Sequence, residues 1–532
     1  MLQISNLKLT PEQGGNIDKE LNLLKVKTSK LLKVSMDSLV DFQITRKSID
    51  ARKVASVFYV YTVAFRMAEN VYLKPGIAKE IESTEYVSQA THKASSNHPA
   101  PVVVGSGPAG LFAALTLAEA GLCPMVIERG KDVDARNADV DKFCKTGILN
   151  TESNIQFGEG GAGTFSDGKL NTGIRNPRIS KIFKTFIECG APDEIGYNAK
   201  PHIGTDILLP VIRTLREKIK SLGGTFYFET KLEELHIEKE KLVGITVSSA
   251  TGTKEITTNS LILAIGHSAR DTFEMLEKSG VNMTAKSFAV GVRIEHKQST
   301  INKAQYKDFA SKLPAADYKL AVKTKEGRGV YTFCMCPGGV VVPAASEEKR
   351  LVVNGMSKYA RDNENANSAI LVSVSPDDYK QFPGVLGGVA FQRAFEERAF
   401  NLGGGKYKAP VQLLGDFLKG KTSTSLGSVK PSYEIGYTLC NLRECLDDFV
   451  VDALHEGLQL MSKKIKGFDS RDAILTAAES RSSSPITILR DDNLNSNIKG
   501  ILPCGEGGGH AGGIVSSAVD GIRCAESVIV NY

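Results

Sequence analysis

The chain has 532 residues, of which 42% are hydrophobic and 24% charged, and its formal net charge is +6. That length suggests roughly two to four domains with a large core, and the composition is that of an ordinary globular protein. The mild, dispersed positive balance is no argument for nucleic acid. The nine cysteines show no disulfide framework and no CxxC, which fits reduced thiols in a cytoplasmic protein. The opening MLQISNLKLT lacks the basic and apolar regions of a secretory leader, and no apolar run is long enough to span a membrane.

Taken in order, Ile4–Leu9 reads as a strand, and Ile17–Val34 as a helix with Leu and Ile at helical spacing and lysines opposite. Val40–Ile44 and Val54–Met67 read as strands joined by the polar turn RKSIDARK (46–53). A small α+β domain over residues 1–95 results, suited to docking or oligomerisation, with the polar stretch THKASSNHP (91–99) as a linker.

Residues 101–130, PVVVGSGPAGLFAALTLAEAGLCPMVIERG, carry the most specific signal. A β-branched run ends in Gly105-Ser106-Gly107-Pro108-Ala109-Gly110, an Ala/Leu-rich helix follows, and a second apolar run ends at Glu128. This is the order of a dinucleotide-binding βαβ unit. Gly105 permits the tight turn, Gly107 a close approach to a pyrophosphate, and Gly110 the packing of helix on strand. The helix start offers unpaired N–H groups and a positive dipole end to phosphates. Glu128 is placed to accept hydrogen bonds from the adenosine ribose, which favours FAD or NAD over NADP.

Five glycines crowd Gly158–Gly168 around Glu159, Ser166 and Asp167, a density that lets backbone approach a flat ring or a phosphate, or else makes a mobile surface loop. Phe226–Leu235 and Lys241–Ser249 read as strands, Thr251–Lys254 as a turn, and Ser260–Ile265 as a strand ending in Gly266. Residues from 286 to about 465 are strand-rich, with a basic helical patch near 299–312. Cys334 and Cys336 share a face if they lie in a strand, which makes them either a strained redox dithiol or two packed side chains. No cluster has zinc-site spacing, so no metal is expected. Arg481, within ESRSSSP, suits either an anionic substrate or a turn pinned by an Arg–Glu pair. The end of the chain reads as strand, glycine loop and helix.

Three segments resemble two-domain flavoproteins of the glutathione reductase superfamily: Leu261-Ile-Leu-Ala264-Ile-Gly266, Ile501-Leu-Pro-Cys-Gly505-Glu506-Gly507, and Gly512-Gly513-Ile514 at the start of the last helix. In that superfamily the residue matching Glu506 is usually Asp and bonds the ribityl chain, and the last helix points its N-terminus at the flavin. The chain as a whole resembles the uncharacterised bacterial FAD-dependent dehydrogenases, often labelled NAD-utilising dehydrogenases. The resembling segments are KSIDARK (47–53), FGEGGAGTFSDGKLNT (157–172), FCMCPGG (333–339), NGMS (354–357), ESRSSSP (479–485) and GEGGGHAGGIVSSAVDGIR (505–523).

The resemblance implies an α/β fold. An FAD-binding Rossmann-like β-β-α sandwich would comprise 96–285 and 471–532, with a strand-rich substrate domain (286–470) inserted and the N-terminal domain (1–95) preceding it. It implies noncovalent FAD contacted by Gly105–Gly110, Glu128, Arg129, Gly160, Gly161, Ser166, Asp167, Leu232, Ala264, Gly266, Gly505, Glu506, Gly512, Gly513 and Ile514. Lys169, His510 and Arg481 are the expected catalytic residues, with His510 near the flavin ring as a proton carrier or else a plain helix-start histidine; Arg293 and His267 are weaker candidates. No second GxGxxG follows a strand after residue 130 and no CxxxxC is present, so NADH or NADPH is expected to dock transiently against the flavin. The substrate expected is a small organic molecule with an activated C=C or an alcohol. Two rival readings are an FAD-containing RNA-interacting protein, using lysines 303, 307, 312, 319, 323 and 325, and a redox sensor that docks through residues 1–95.

Overall fold

The computed structural model describes residues 1–53, 56–68, 76–81, 86 and 99–531. Val54, Ala55 and most of the expected linker (91–98) lie outside the described residues. At the N-terminus, strands Leu2–Leu9, Leu39–Lys53, Ser56–Met67 and Lys79–Glu80 form a four-stranded sheet against helix Ile17–Leu32. The segment 46–53, expected as a turn, is instead the continuation of the strand Leu39–Lys53. Its polar residues have partners that composition hides. The Lys47 ammonium is 2.9 Å from the buried Glu20 carboxylate, and the Lys47 backbone pairs with the strip 197–199 of the main body.

The centre is a five-stranded parallel sheet in the order 501–503, 261–263, 102–104, 125–127, 225–227. Strand alternation divides its side chains between two cores. Val103, Val126, Ile262 and Leu502 face helices Pro108–Glu119, Arg178–Glu188, Thr205–Ser221 and Ile514–Asn531. Val102, Val104, Ile127, Leu261, Leu263 and Ile501 face Leu232, Leu235, Leu242, Ile245 and Val247 of a three-stranded antiparallel meander. This sheet–sheet–helix layering is the expected α/β sandwich. Two local expectations change. Phe226–Leu235 divides into Thr225–Tyr227, in the parallel sheet, and Lys231–Glu238, in the meander. The segment Thr251–Lys254 is mostly strand, because Gly252–Thr257 pairs back onto Gly244–Ser249.

A seven-stranded, mainly antiparallel sheet in the order 321–323, 329–336, 365–374, 288–297, 474–479, 409–413, 437–439 carries its own core. It runs past residue 470, where the sequence reading ends the inserted domain, because Ile474–Glu479 lies in the middle of the sheet. Entry and exit run side by side, since Met283–Ala285 pairs with Ile486–Ile488. No helix among the described residues is long and apolar enough to cross a membrane.

Gly110 allows the first helix to sit on its strand: a Cβ built there would lie 1.8 Å from the Gly105 carbonyl oxygen. Gly110→Ala is therefore expected to cost about 1–3 kcal/mol through overpacking, read as a lower denaturant midpoint; an unchanged midpoint would contradict this packing.

Candidate functional site

The parallel strands end on one side of the sheet, and their C-terminal ends open on a cleft of about 560 Å³, within the usual range of small-ligand sites. The first strand turns at Gly105 (φ +97°), packed so closely on the Ala264 carbonyl that a Cβ would lie 2.3 Å from that oxygen. Helix Pro108–Glu119 starts there, with Gly107 as N-cap, Pro108 in the first turn and no side-chain cap bond. Its first N–H groups are left for a ligand. The start of the last helix, Gly512-Gly513-Ile514, lines the same cleft. A Cβ added at Gly512 or Gly266 would meet nothing within 4 Å.

Two buried charges hold the glycine segments together. Glu128 Oε2 accepts from the Ser106 N–H (2.9 Å) and hydroxyl (2.8 Å), while Oε1 accepts from the Gly130 (2.9 Å) and Gly158 (3.0 Å) N–H groups. The carboxylate expected to bind a ribose thus has its oxygens engaged by protein donors, although Glu128 still lines the cleft. The Arg136 guanidinium, fully buried, donates to the carbonyls of Asn154, Ile155, Gly158, Glu159 and Gly161 at 2.6–3.1 Å. Burial pushes its pKa down to about 10, still well above neutrality. Beside it, burial raises the Glu159 carboxyl to about 7 despite Arg216.

The facing wall comes from the antiparallel sheet and the residues just after its strand Ile474–Glu479 (Thr332–Met335, Glu479, Arg481 and Ser482), with Asn354 added from the separate short strand Val353–Met356. The Lys169 ammonium reaches into it, bonded to Asp167 (2.7 Å) and to the Met335 carbonyl. Asp167 also pairs with Arg361 and accepts from Ser357. These cations hold the Asp167 carboxyl at about 2 in spite of its burial. Arg293, fully buried, pairs with Glu479 at 2.8 Å and donates to the Cys334 carbonyl at 2.6 Å. Burial raises Glu479 to about 7 against the pull of Arg293. Burial likewise raises Glu506 to about 7, opposed by Lys286, so these two carboxyls gain negative charge as pH rises through neutrality.

Most of the expected site residues meet in this cleft. Gly105, Gly107, Pro108, Ala109, Glu128, Arg129, Gly161, Ser166, Lys169, Leu232, Ala264, Gly266, Arg481, Glu506, Gly512, Gly513 and Ile514 all line it. Six others stand behind it. Ser106 is turned onto Glu128, and Gly110 is a packing contact. A Cβ at Gly160 would strike the Thr164 hydroxyl, and one at Gly505 would strike Ala109. Asp167 anchors Lys169 and Arg361. His510 faces away, its Nε2 at 2.9 Å from the Ile488 carbonyl. Arg481 lines the cleft as half of an Arg–Glu pair. Its partner is not the nearby Glu479 but Glu396, at 2.9 Å, which Arg270 shares. Its charge is therefore already matched.

His267, the weaker histidine candidate, is the one that lines the cleft; its Nδ1 is 2.9 Å from the Ser268 hydroxyl, which donates to Gln156 at 3.0 Å. Burial, helped by Arg481 and Arg270, lowers its pKa to about 4 and keeps it neutral. Gly507, quoted in the segment 501–507 but not among the expected site residues, is needed for close packing: a Cβ there would lie 2.6 Å from the Gly266 oxygen. Cys504, Asp520 and Cys524 cluster, but Arg490 bonds both Asp520 oxygens, so the charge a cation would need is already taken.

The cleft has the features a dinucleotide cofactor requires: uncapped helix N–H groups, glycines open toward it, and a closely packed turn beneath. A family model described as "FAD binding domain" matches residues 101–137, "FAD-dependent protein, C-terminal domain-like" matches 287–482, and a domain of unknown function matches 1–66. The protein is thus an FAD-binding protein. It is 50% identical over 541 residues to an "Uncharacterized protein" of Clostridium beijerinckii, covering 100% of this chain and 99% of that one, and the chain belongs to the family of that clostridial protein. Among solved structures, quinol fumarate reductase FrdA from E. coli is 13% identical, with a TM-score of 0.37 over 82% of this chain and 70% of that one. A geranylgeranyl bacteriochlorophyll reductase-like protein from Thermoplasma acidophilum is 11% identical, with a TM-score of 0.37 over 82% and 79%.

Glu128→Gln replaces two acceptor positions with an NH2 facing N–H donors. With unmet buried donors costing about 1–3 kcal/mol, FAD retention is expected to fall roughly ten-fold or more, measured by titrating stripped protein with FAD. Full affinity would show that the Glu128 bonds do not shape the turn.

Proposed function

We propose that the protein is an FAD-dependent oxidoreductase that passes a hydride between a donor, NADH or NADPH, and a small organic substrate. The observation that carries this reading is the convergence of two helix starts and three glycine turns on one cleft, the first helix start and first turn lying in residues 101–137, which match an FAD-binding family. The N–H groups at the start of helix Pro108–Glu119 would hold the diphosphate. Glu128, Arg129 and Leu232 would flank the adenosine side. Gly266, Glu506 and Gly512–Ile514 would face the ring, where the last helix's dipole favours negative charge.

FAD held there supplies the hydride chemistry, and the protein supplies position and electrostatics. Among the described residues, Asp167 and Met335 take two of the three Lys169 N–H bonds, leaving the third for an anionic or carbonyl group of substrate. The Ser268 hydroxyl gives its proton to Gln156, so the neutral His267 ring donates to it from Nδ1 and leaves its other ring nitrogen to accept a proton or hydrogen bond. The carboxyls of Glu479 and Glu506, raised to about 7, exchange protons near neutrality.

The test is the visible spectrum of the purified protein, then anaerobic mixing with NADH and with NADPH. A yellow protein bleached by one of them is expected. Lys169→Met should lower the substrate-dependent rate roughly ten- to hundred-fold, the size of a lost charge-assisted contact, while His510→Ala should leave reduction unchanged. A protein that stays colourless after incubation with FAD, or is bleached by neither nucleotide, would sink the reading.

A further inference from the structure

The CxC pair, open in sequence between packing and redox chemistry, takes a specific shape. Strand Gly329–Cys336 pairs regularly with Asn365–Val374 as far as Phe333↔Ala369, then skips to Cys336↔Asn367. Cys334 and Met335 thus form a β-bulge, with Cys334 at φ +43°, a region costly for a non-glycine residue and concentrated at functional sites. A flat strand keeps alternate Cα atoms roughly 6.6 Å apart, at the far edge of disulfide reach. At the bulge the Cys336 thiol donates to the Cys334 carbonyl at 3.2 Å. Cys334 lines the cleft, whereas Cys336 is fully buried behind it.

We propose that Cys334 and Cys336 form a working dithiol in the cleft wall, with Cys334 as the attacking sulfur and a small-molecule disulfide as the substrate. The proposal deepens the oxidoreductase reading and rests on it for the electrons that complete a cycle. The charges around the pair suit the role. Arg293 lies 3.7 Å from the Cys336 sulfur and holds the Cys334 carbonyl, while Lys169 holds the Met335 carbonyl. Asp167, Glu479 and Glu506 oppose them, but Asp167 is shared with Arg361, Glu479 is paired with Arg293, and Glu506 faces Lys286. The Cys336 thiol beside it, with Lys169 and Arg293, lowers the Cys334 thiol against the effect of burial, while the Cys336 thiol is pushed up in turn. Burial pushes the Cys144, Cys189, Cys440 and Cys445 thiols up as well.

The chemistry balances. The Cys334 thiolate attacks one sulfur of R–S–S–R, forms a mixed disulfide and expels RS⁻. Cys336 then attacks the Cys334 sulfur, its proton leaves with the second thiolate as RSH, and an intrachain disulfide closes. The pair loses two electrons and the substrate gains them. Return to the dithiol needs a two-electron reductant, which the oxidoreductase reading provides.

The full-length protein is treated with iodoacetamide from pH 5 to 9, and modification of each cysteine is followed by peptide mass spectrometry. Cys334 is expected to keep at least half of its pH 9 rate at pH 6.5, where an ordinary thiol of pKa about 8.5 falls to roughly one hundredth. Lys169→Met should move the Cys334 profile to higher pH. With glutathione disulfide as the probe, the wild type should lose two hydrogens across the peptide holding both cysteines. Cys336→Ser should instead trap glutathione on Cys334, and Cys334→Ser should do neither. An ordinary profile at Cys334, or the same stable mixed disulfide in wild type and Cys336→Ser, would overturn the proposal. The flavin reading fails separately: a colourless protein with the acid-shifted profile and the closed disulfide would keep the dithiol and remove the flavin as its reductant.

Discussion

The cleft depends on burying the Arg136 guanidinium among backbone carbonyls. The stretch from Asn154 to Gly161 has little regular structure, so its carbonyls lack the ladder partners that a strand or helix provides. Arg136 supplies five donors in a fixed fork and gathers five of those carbonyls at once. The same packing explains Gly158: a Cβ there would lie 2.4 Å from Arg136 Cδ. From the other side, Glu128 ties the first glycine turn to Gly158, and the Gly160 N–H donates to the Ser106 carbonyl at 2.8 Å. A positive group collects acceptors and a negative group collects donors, and the two glycine segments are fixed to each other between them.

The same logic runs through the rest of the site. Arg270 and Arg481 share Glu396, Arg293 pairs with Glu479, and Arg361 shares Asp167 with Lys169. Charges at this depth persist only when paired and hydrogen-bonded. Most of these arginines are therefore unavailable to a ligand, however inviting they look in sequence. What the cleft does present is the Lys169 ammonium, a neutral histidine, two carboxyls titrating near neutrality and the Cys334 sulfur.

What could be read from sequence follows the range of the interactions. The strand–turn–helix at 102–119 is encoded by adjacent residues, with three glycines at fixed offsets and a helix of strong helix formers, so both the fold and the location of the cleft were legible. The partner of Arg481 was not. Glu479 stands two residues away in sequence, but it belongs to Arg293, and Arg481 reaches Glu396 across 85 positions. His510 sits in the most glycine-rich stretch near the site, yet its ring turns to Ile488, while His267, in a plainer context, lines the cleft. Residues 46–53 look like a turn because they are polar; they extend a strand because Lys47 pairs with Glu20 and with the 197–199 strip. The bulge at Cys334 was equally hidden, since it reflects register against a strand more than thirty residues later.

The topology shows why the two walls of the cleft differ in character. One wall is the C-terminal edge of a parallel sheet, where Val104, Leu263 and Pro503 each hand over to glycine-bearing turns. Backbone dominates there, and backbone N–H groups suit a phosphate and a flat ring whatever the substrate. The other wall belongs to the antiparallel sheet, reached and left through the paired segments Met283–Ala285 and Ile486–Ile488. Its strand Ile474–Glu479 ends at the cleft, delivering Glu479 and then Arg481 and Ser482, while Gly329–Cys336 delivers Cys334 from its bulge. Side chains dominate on that face, and side chains are what distinguish one substrate from another. The backbone-dominated wall includes residues 101–137, which match the FAD-binding family and carry the more general sequence pattern. The antiparallel sheet brings the Cys334 sulfur to the cleft, while the Lys169 ammonium and the neutral His267 ring reach it from the glycine-rich segment and from the turn after Leu261–Leu263.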